Sequence, residues 1–320
     1  MLKNNKQEQL HVIDFFELPS QPFSDSCVTI GNFDGVHLGH QAIIKKMVED
    51  SKIETKPVIV ITFFPDPSDF FNPAKEAFYL TTPSEKRWRV CQLGVDRVLT
   101  LHFTKRLSEL TAREFLTALV EKVDLKTLVI GRDFALGRDR QGTLPVIQTL
   151  GDELGFVVEV IEPVKKAGEE ISSTRIRQHL VQGQVEAAAK LLGRPYSIFG
   201  PVTHGSDRGS RIGLPTANIA HWPKKQLPAV GVYATRVFLG KNEYLGITNV
   251  GFRPTFEDQE SPNIETHILD FDGNIYGEDL ELHFIAKIRD EQKFSGVDAL
   301  LEQIERDKST ARKIFNHEQT

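Results

Sequence analysis

The first half of the chain alternates short apolar runs with stretches of helical spacing. Cys27–Ile30 is a short apolar run that stops at Gly31, and over residues 40–50 Ile43, Ile44, Met47 and Val48 fall on one helical face. Val58–Phe63 is β-branched and bracketed by Pro57 and Pro65, which predicts a buried strand. Thr82-Pro-Ser-Glu85 and Thr111-Ala-Arg-Glu114 are capping boxes, the first with proline at the first helical position, so helices follow both, the second reaching Val123. Arg97–Leu101, Leu128–Ile130 and Val157–Ile161 are further strands, with a helix over Leu144–Leu154. Strands alternating with helices imply right-handed βαβ units and a mostly parallel sheet. Ligands of such sheets collect beyond the carboxyl ends of the strands, so the glycine-ended strands at Ile30 and Ile130 mark a candidate crevice.

The second half has a different grammar. Residues 174–192 carry helical spacing through Ile176, Leu180, Val185, Ala188, Leu191 and Leu192. Beyond Gly193-Arg-Pro195 come short β runs separated by Gly, Pro and Asn: Ser197–Val202, Val232–Leu239, Glu243–Asn249, Asn263–Asp270 and Asp279–Ile288. That pattern predicts a compact antiparallel barrel or sandwich. Only Val297–Phe315 returns to helical spacing. The expected domains are residues 1–184 and 185–320.

Composition narrows the classes. A length of 320 residues suits about two domains. The formal charge of −5 argues against a protein that coats a nucleic-acid backbone. Two cysteines, Cys27 and Cys91, cannot make a disulfide framework or a four-thiolate zinc site, and they suit a reducing cytoplasm. The opening residues MLKNNKQEQLHVIDFF lack the apolar core of a signal peptide, and the longest strongly apolar run, Val58–Phe64, is too short to span a bilayer. The expectation is a protein with neither a membrane nor a nucleic-acid partner; a homo-oligomer stays open.

Residues 31–40 read GNFDGVHLGH between a strand and a helix. Gly31 and Gly35 permit a tight turn, and the N–H groups opening the following helix favour an anion. His37 and His40, three apart, share a side of the first turn and can bond phosphate oxygens. An HxxH pair also suits a metal, yet no cysteine or acid at ligand spacing stands nearby. The stretch resembles the GxFDGxHxGH signature of the HIGH-type nucleotidyltransferases, and Ile171-Ser-Ser-Thr-Arg-Ile-Arg177 resembles their ISSTxIR element. Ser172, Ser173 and Thr174 are capping types, and Arg175 and Arg177 carry forked donors for a triphosphate. Gly131-Arg-Asp-Phe-Ala-Leu-Gly137 is similar to the GxDFxFG segment of the flavin-adenylating branch. The resemblance implies a Rossmann-like parallel sheet. It assigns ATP and phosphate binding to Gly31, Phe33, Asp34, Gly35, His37, His40, Asp133, Ser173, Thr174 and Arg177, and flavin binding to Phe134. By the same resemblance His37 and His40 would carry the catalytic role, stabilising charge on the α-phosphate.

Residues 200–218 read GPVTHGSDRGSRIGLPTAN. The stretch lacks the GK[ST] ending of a P-loop, but its glycines, Arg208 and Arg211 can wrap phosphates. Thr216 and Asn218 follow Pro215 two apart and offer hard oxygen donors of the kind Mg²⁺ prefers. Ile264-Glu265-Thr266-His267-Ile268 alternates as a strand, with Glu265 and His267 on one face. A strand-borne carboxylate is rigidly held and suits a general base. Asp272-Gly273-Asn274 reads as a turn, which favours Glu265 over Asp270 and Asp272. Together with GVYATRV, GITNVGFRPTF, ETHILDFDGNIYG and RDEQKF, this run is similar to riboflavin kinase domains. The motif order resembles that of the prokaryotic bifunctional riboflavin kinase/FMN adenylyltransferase (FAD synthetase) family from about Asp14 to Lys313.

The fold so implied is an α/β nucleotidyltransferase domain followed by a small antiparallel β-barrel kinase domain with a C-terminal helix. The implied reactions are phosphorylation of riboflavin by ATP to FMN, then transfer of AMP from a second ATP to FMN, giving FAD and pyrophosphate. The small-molecule partners are riboflavin, FMN and ATP, with Mg²⁺ as cofactor. On the kinase side the resemblance implies phosphate contacts from Gly205, Arg211, Gly213, Pro215, Thr216 and Asn218, the metal on Thr216 and Asn218, and Glu265 as base. Arg289, Glu291 and Phe294 would border the flavin. Two departures from the family pattern lie in the first domain. Phe64-Pro65-Asp66-Pro67 stands where an acid, proline, histidine and proline are usual, and Leu136 replaces an aromatic. They motivate an alternative, a kinase whose first domain is an inactive scaffold or flavin-binding module. An RNA-associated protein is a second alternative, from the architecture shared with class I tRNA synthetases, and the net charge of −5 opposes it.

Overall fold

The computed structural model describes residues 12–18, 23–72, 78–166, 168–204, 214–253 and 261–318. Contacts divide the described residues into two units, 12–173 and 174–318. The first runs β1 (Val12–Ile13), β2 (Ser26–Ile30), α1 (Leu38–Glu54), β3 (Val58–Phe64), α2 (Pro67–Phe71), α3 (Pro83–Cys91), β4 (Arg97–His102), α4 (Lys105–Ser108), α5 (Ala112–Val123), β5 (Leu125–Gly131), α6 (Leu144–Leu154) and β6 (Val157–Ile161). A small hairpin of β7 (Lys165–Lys166) and β8 (Glu169–Glu170) follows. The sheet order is β1-β4-β3-β2-β5-β6 and every pair is parallel.

The apolar strands are covered on both faces, which is why they read as unbroken hydrophobic runs. Val28, Ile30, Ile59, Ile61, Leu128 and Ile130 cluster with Phe115, Leu116 and Leu119 of α5 and Ile147 of α6. The alternate positions turn the other way: Val60 and Val98 meet Ile44 of α1 and Val90 of α3, and Val58 and Val129 meet Met47. Both capping boxes form, with Thr82 and Glu85 opening α3 and Thr111 and Glu114 opening α5. The chain winds from β2 outward through β3 and β4, then returns to lay β5 on the other side of β2. The carboxyl ends of β2 and β5 therefore flank the switch point, where doubly wound sheets hold ligands.

In the second part, α7 (Ser173–Val181) and α8 (Val185–Leu192) replace the single helix expected over 174–192. Gly183, at φ +74°, breaks it, and a Cβ there would lie 2.9 Å from Lys287 Cδ. The unit division falls at Ser173, ahead of the boundary expected at 184/185. The local reason is that both helices join the barrel: the Ala229 N–H donates to the Leu180 carbonyl, and α8 packs on two barrel strands. Those strands are β9 (Tyr196–Thr203), β10 (Ala217–Ile219), β11 (Gly231–Leu239), β12 (Asn242–Arg253), β13 (Ser261–Ile268) and β14 (Asp279–Arg289), before a long helix α9 (Val297–Glu318). They close in the order β10-β13-β12-β11-β14-β9, all antiparallel. The three-residue β10 was not foreseen, being too short to show alternation.

Alternation splits the barrel into an inside and an outside. Inside, Tyr233 meets Phe284 edge to face at 5.4 Å. Beside them the buried hydroxyls of Thr235, Thr248 and Thr266 bond one another at 2.8 and 2.9 Å, so no buried polar group of that row goes unpaired. Outside, Val232, Ala234, Ile247 and Ile285 pack under Ala311 and Phe315 of α9.

Candidate active sites

The turn after β2 carries three left-handed backbone positions, Phe33 (φ +50°), Gly35 (φ +80°) and Val36 (φ +41°). Two of these are not glycine, so surrounding contacts must hold the conformation. The Phe33 ring folds back against Gly31, where a Cβ would stand 3.1 Å from its Cζ. The same ring meets His40 edge-on at 5.1 Å. Asp34, expected at the phosphates, is buried, and its carboxylate is turned into the fold. It accepts from the Leu80 N–H at 3.0 Å and from the Thr81 N–H and hydroxyl, both at 3.1 Å. Thr81 in turn accepts from the Gly35 N–H at 3.1 Å. Asp34 is thus the anchor of the turn, a contact between residues 46 and 47 apart that no local pattern announces.

His37 caps α1. Its Nδ1 accepts the His40 N–H at 3.4 Å, which leaves the proton of the neutral ring on Nε2 as a donor. The two imidazoles stack with centroids 3.5 Å apart and planes 20° from parallel. His40 Nδ1 is buried and finds no partner among the described residues. Burial, helped by His37 and Lys86, holds the His40 pKa well below its ordinary value, so the ring is neutral at pH 7. This fixes a sign. The unfolded chain protonates His40 below about pH 6.5 while the folded chain does not, so stability attributable to this group is lost as pH falls below 6.5. Comparing wild type with His40→Gln, the melting temperature of wild type is expected to drop more between pH 7 and pH 5.5. Parallel curves contradict the buried neutral ring.

Ser173 joins this site, its hydroxyl donating to the Asp34 carbonyl at 2.8 Å. Thr174 and Arg177 stand on α7, across the division between the units. The segment after β5 brings Asp133 and Phe134 to the same crevice as Gly31. A cavity of about 740 Å³ opens there, walled by Phe63, Phe71, Phe103, Phe115, Phe134 and Leu136, with Asp133, Asp139 and Arg140 also lining it. Its size and its few polar groups suit a flat aromatic ligand. Two of the residues that depart from the family pattern stand at this site. Leu136 is part of this wall, and Asp66 is buried at the start of α2, where it accepts from Asn32 Nδ2 at 3.0 Å and from the Ser68 N–H at 2.9 Å. Burial raises the Asp66 pKa.

A second site lies on the outer face of the barrel. Register sets Asn218 of β10 opposite Glu265 of β13, and Glu265 opposite Asn249 of β12. Residues directly opposite share a face, so the three form one polar row. Glu265 is half-buried and accepts from Asn263 Nδ2 at 2.7 Å. Glu291 comes to the same row, because a Cβ on Gly251 would lie 3.0 Å from Glu291 Oε1 and 3.2 Å from Asn249 Nδ2. His267, also on this face, donates from Nδ1 to the Pro215 carbonyl at 2.9 Å; burial lowers its pKa, which keeps the ring neutral. It thereby pins the Pro215-Thr216 approach to β10.

A smaller cavity of about 260 Å³ is lined by Pro215, Thr216, Ala217, the inward-facing Thr266 and the Phe271–Tyr276 segment. Tyr276 stacks on His204 with centroids 4.0 Å apart. Gly205, Arg211 and Gly213 lie outside the described residues. Arg289, expected beside the flavin, is committed elsewhere. Its guanidinium grips Asp307 of α9 at 2.8–3.0 Å, and Asp307 is 2% exposed. Phe294 stacks 5.7 Å from that guanidinium. Arg289 therefore secures the segment carrying Glu291 and Phe294 to the terminal helix. Sequence reasoning missed Lys86, Asn32, Asn249 and the wall residues Phe63, Phe71, Phe103 and Phe115, because each gains meaning only from a partner distant in sequence; Phe134 alone of the wall phenylalanines was expected there.

Comparison with known proteins finds a separate match for each part of the chain. A family model described as FAD synthetase matches residues 20–175, and one described as riboflavin kinase matches residues 192–315. The chain is 39% identical over 299 residues to the bifunctional riboflavin kinase/FMN adenylyltransferase of Escherichia coli (strain K12), covering 92% of this chain and 95% of that one. It is 36% identical over 289 residues to the protein of the same name from Listeria monocytogenes, covering 90% and 92%. A crystal structure described as a macrolide-efflux protein from Streptococcus pneumoniae superposes with a TM-score of 0.86 at 34% identity, covering 93% of this chain and 97% of that one. Among the described residues, no helix is long and apolar enough to cross a membrane.

Proposed function

The chain belongs to the family of bifunctional riboflavin kinase/FMN adenylyltransferases and carries both of that family's activities, and from this premise we propose how its residues divide the work. The FAD synthetase match over residues 20–175 sets aside the reading of the first unit as a mere scaffold.

The barrel phosphorylates riboflavin. Glu265 takes the proton of the ribityl primary hydroxyl as that oxygen bonds to the γ-phosphorus of ATP. The bond from the γ-phosphorus to the bridging oxygen breaks and ADP leaves. Such transfer is mostly positioning and charge stabilisation, which suits a row of fixed strand residues. Asn218 and Asn249 flank the base, and Asn263 orients its carboxylate. Thr216 and Asn218 fit Mg²⁺ as hard oxygen donors, Thr216 lining the 260 Å³ cavity and Asn218 standing in the base's own row. Among the described residues no group of three or more His, Cys, Asp and Glu could hold a metal, so these two suit an ion that draws its other ligands from ATP and water. When bound, Mg²⁺ neutralises phosphate charge.

The first unit transfers AMP. An oxygen of the FMN phosphate bonds to the α-phosphorus of ATP, the α–β bond breaks, and pyrophosphate leaves. The nucleophile is already an anion, so no general base is required. His37 donates from Nε2 to an α-phosphate oxygen, with His40 stacked against it, while Ser173 holds the leaving pyrophosphate. The phenylalanine-walled cavity takes the isoalloxazine, with Phe134 and Phe71 against it. ATP supply and two free thiols suit the cytoplasm.

The observation that carries this assignment is the aromatic cavity opening beside the glycine turn. Phe71 tests it, being 61% exposed at that cavity and so removable without emptying a core. Phe71→Ala is expected to raise the KM for FMN in FAD formation by about tenfold, the worth of one stacked ring or about 1.4 kcal/mol, with the KM for ATP unmoved. An unchanged KM for FMN, measured by FAD production across an FMN series, places the flavin elsewhere.

A further inference from the structure

Lys86 stands in α3 and is 4% exposed. An ammonium removed from water is costly unless its protons are bonded. Its Nζ donates to the Asn32 carbonyl at 2.9 Å and to the Phe63 carbonyl at 3.2 Å. Asn32 opens the turn after β2, and Phe63 lies at the carboxyl end of β3, so one cation ties two neighbouring strand ends at the crevice. Among the described residues Lys86 has no ion pair with a carboxylate. The two acids near it are occupied: Asp34 holds Leu80 and Thr81, and Asp66 holds Asn32 and Ser68. Their charges oppose the burial that pulls the Lys86 pKa down. At the position where the family pattern has an acid, this chain has Phe64; Asp66, two residues on, supplies a carboxylate close enough to act on Lys86.

We propose that Lys86 is a positioning residue for adenylyl transfer: it clamps the ends of β2 and β3 from below and sets a fixed positive charge under the turn that receives the phosphates. The inference rests on the assignment of FMN adenylylation to this unit. The ammonium bonds only to neutral carbonyls, so its charge, offset in part by Asp34 and Asp66, still acts on the turn through low-dielectric surroundings. The same bonds hold Asn32, whose side chain lines the flavin cavity and is fixed by Asp66. The charge and the geometry therefore act through the turn, and Lys86 itself touches no reacting atom.

The test uses full-length Lys86→Met, Lys86→Gln and Lys86→Arg, each assayed in one preparation for FMN adenylylation and for riboflavin phosphorylation. Lys86→Met and Lys86→Gln are expected to lose about 30–100-fold in kcat for FAD formation, with the KM for FMN within about threefold, in line with removal of one preorganised electrostatic group. Lys86→Arg retains the charge and is expected to recover to within about tenfold of wild type. Riboflavin phosphorylation is expected to stay within about twofold, because the barrel's catalytic row belongs to the other unit and shares no partner with Lys86. Lys86→Gln keeps a donor for the two carbonyls, so it decides the matter if Lys86→Met does not fold. Full adenylylation in the Gln variant, an Arg variant no better than Gln, or a loss confined to KM overturns the proposal. Wild-type protein that makes no FAD from FMN and ATP overturns the underlying assignment and the proposal with it; an active wild type with indifferent Lys86 variants overturns the proposal alone.

Discussion

His40→Ala lowers the rate of FAD formation from FMN and ATP by about 10²–10³-fold and leaves riboflavin phosphorylation at its wild-type rate. The size follows from removing preorganised support at the point where negative charge grows on the α-phosphate, worth about 2.7–4 kcal/mol. His40 is the ring against which His37 stacks at 3.5 Å, and its own N–H is what Nδ1 of His37 accepts. Taking away the imidazole frees both the orientation and the packing that Phe33 shares with it. The check is separation of FMN and FAD from one reaction started with riboflavin and ATP. The variant is expected to accumulate FMN. FAD produced within about threefold of wild type removes the histidine pair from the chemistry.

Glu265→Gln is expected to have the opposite phenotype. Formation of FMN from riboflavin falls by about 10²–10⁴-fold, the usual worth of a positioned general base, while conversion of supplied FMN to FAD continues unchanged. The substitution keeps size and hydrogen-bonding capacity, so the bond from Asn263 and the pairing with Asn218 and Asn249 survive. What is lost is the ability to take a proton. Wild-type FMN formation by Glu265→Gln removes the base from this strand and returns the choice to the neighbouring acids.

Much of the fold and part of both sites were legible in the chain itself, for identifiable reasons. Features written into neighbouring residues came through: the capping boxes at Thr82 and Thr111, the strand at Val58–Phe64, and the histidine pair on the first turn of α1. Features that depend on a distant partner did not. Asp34 looked like a phosphate residue because of its motif, but Leu80 and Thr81 claim its carboxylate. Arg289 looked like a ligand contact, and Asp307 of the terminal helix claims it. Lys86 read as one polar residue in a helix, since nothing local says that its ammonium reaches residues 54 and 23 positions away. The row of Asn218, Glu265 and Asn249 exists only through strand register, which alternation can orient but not align. The break at Gly183 was hidden in the spacing, because apolar positions at helical intervals continue on both sides of it, in α7 and in α8.

The central claim is that one chain holds two separable reactions, the kinase on the barrel and the transferase on the parallel sheet. A complementation assay tests it most directly: His40→Ala and Glu265→Gln are incubated with riboflavin, ATP and Mg²⁺, each alone and then mixed. Alone, His40→Ala is expected to stop at FMN, and Glu265→Gln to leave riboflavin untouched. Mixed, they are expected to produce FAD, because FMN released by one variant is consumed by the other. A mixture that makes no FAD, while Glu265→Gln fails to convert supplied FMN, contradicts the division of labour between the two units.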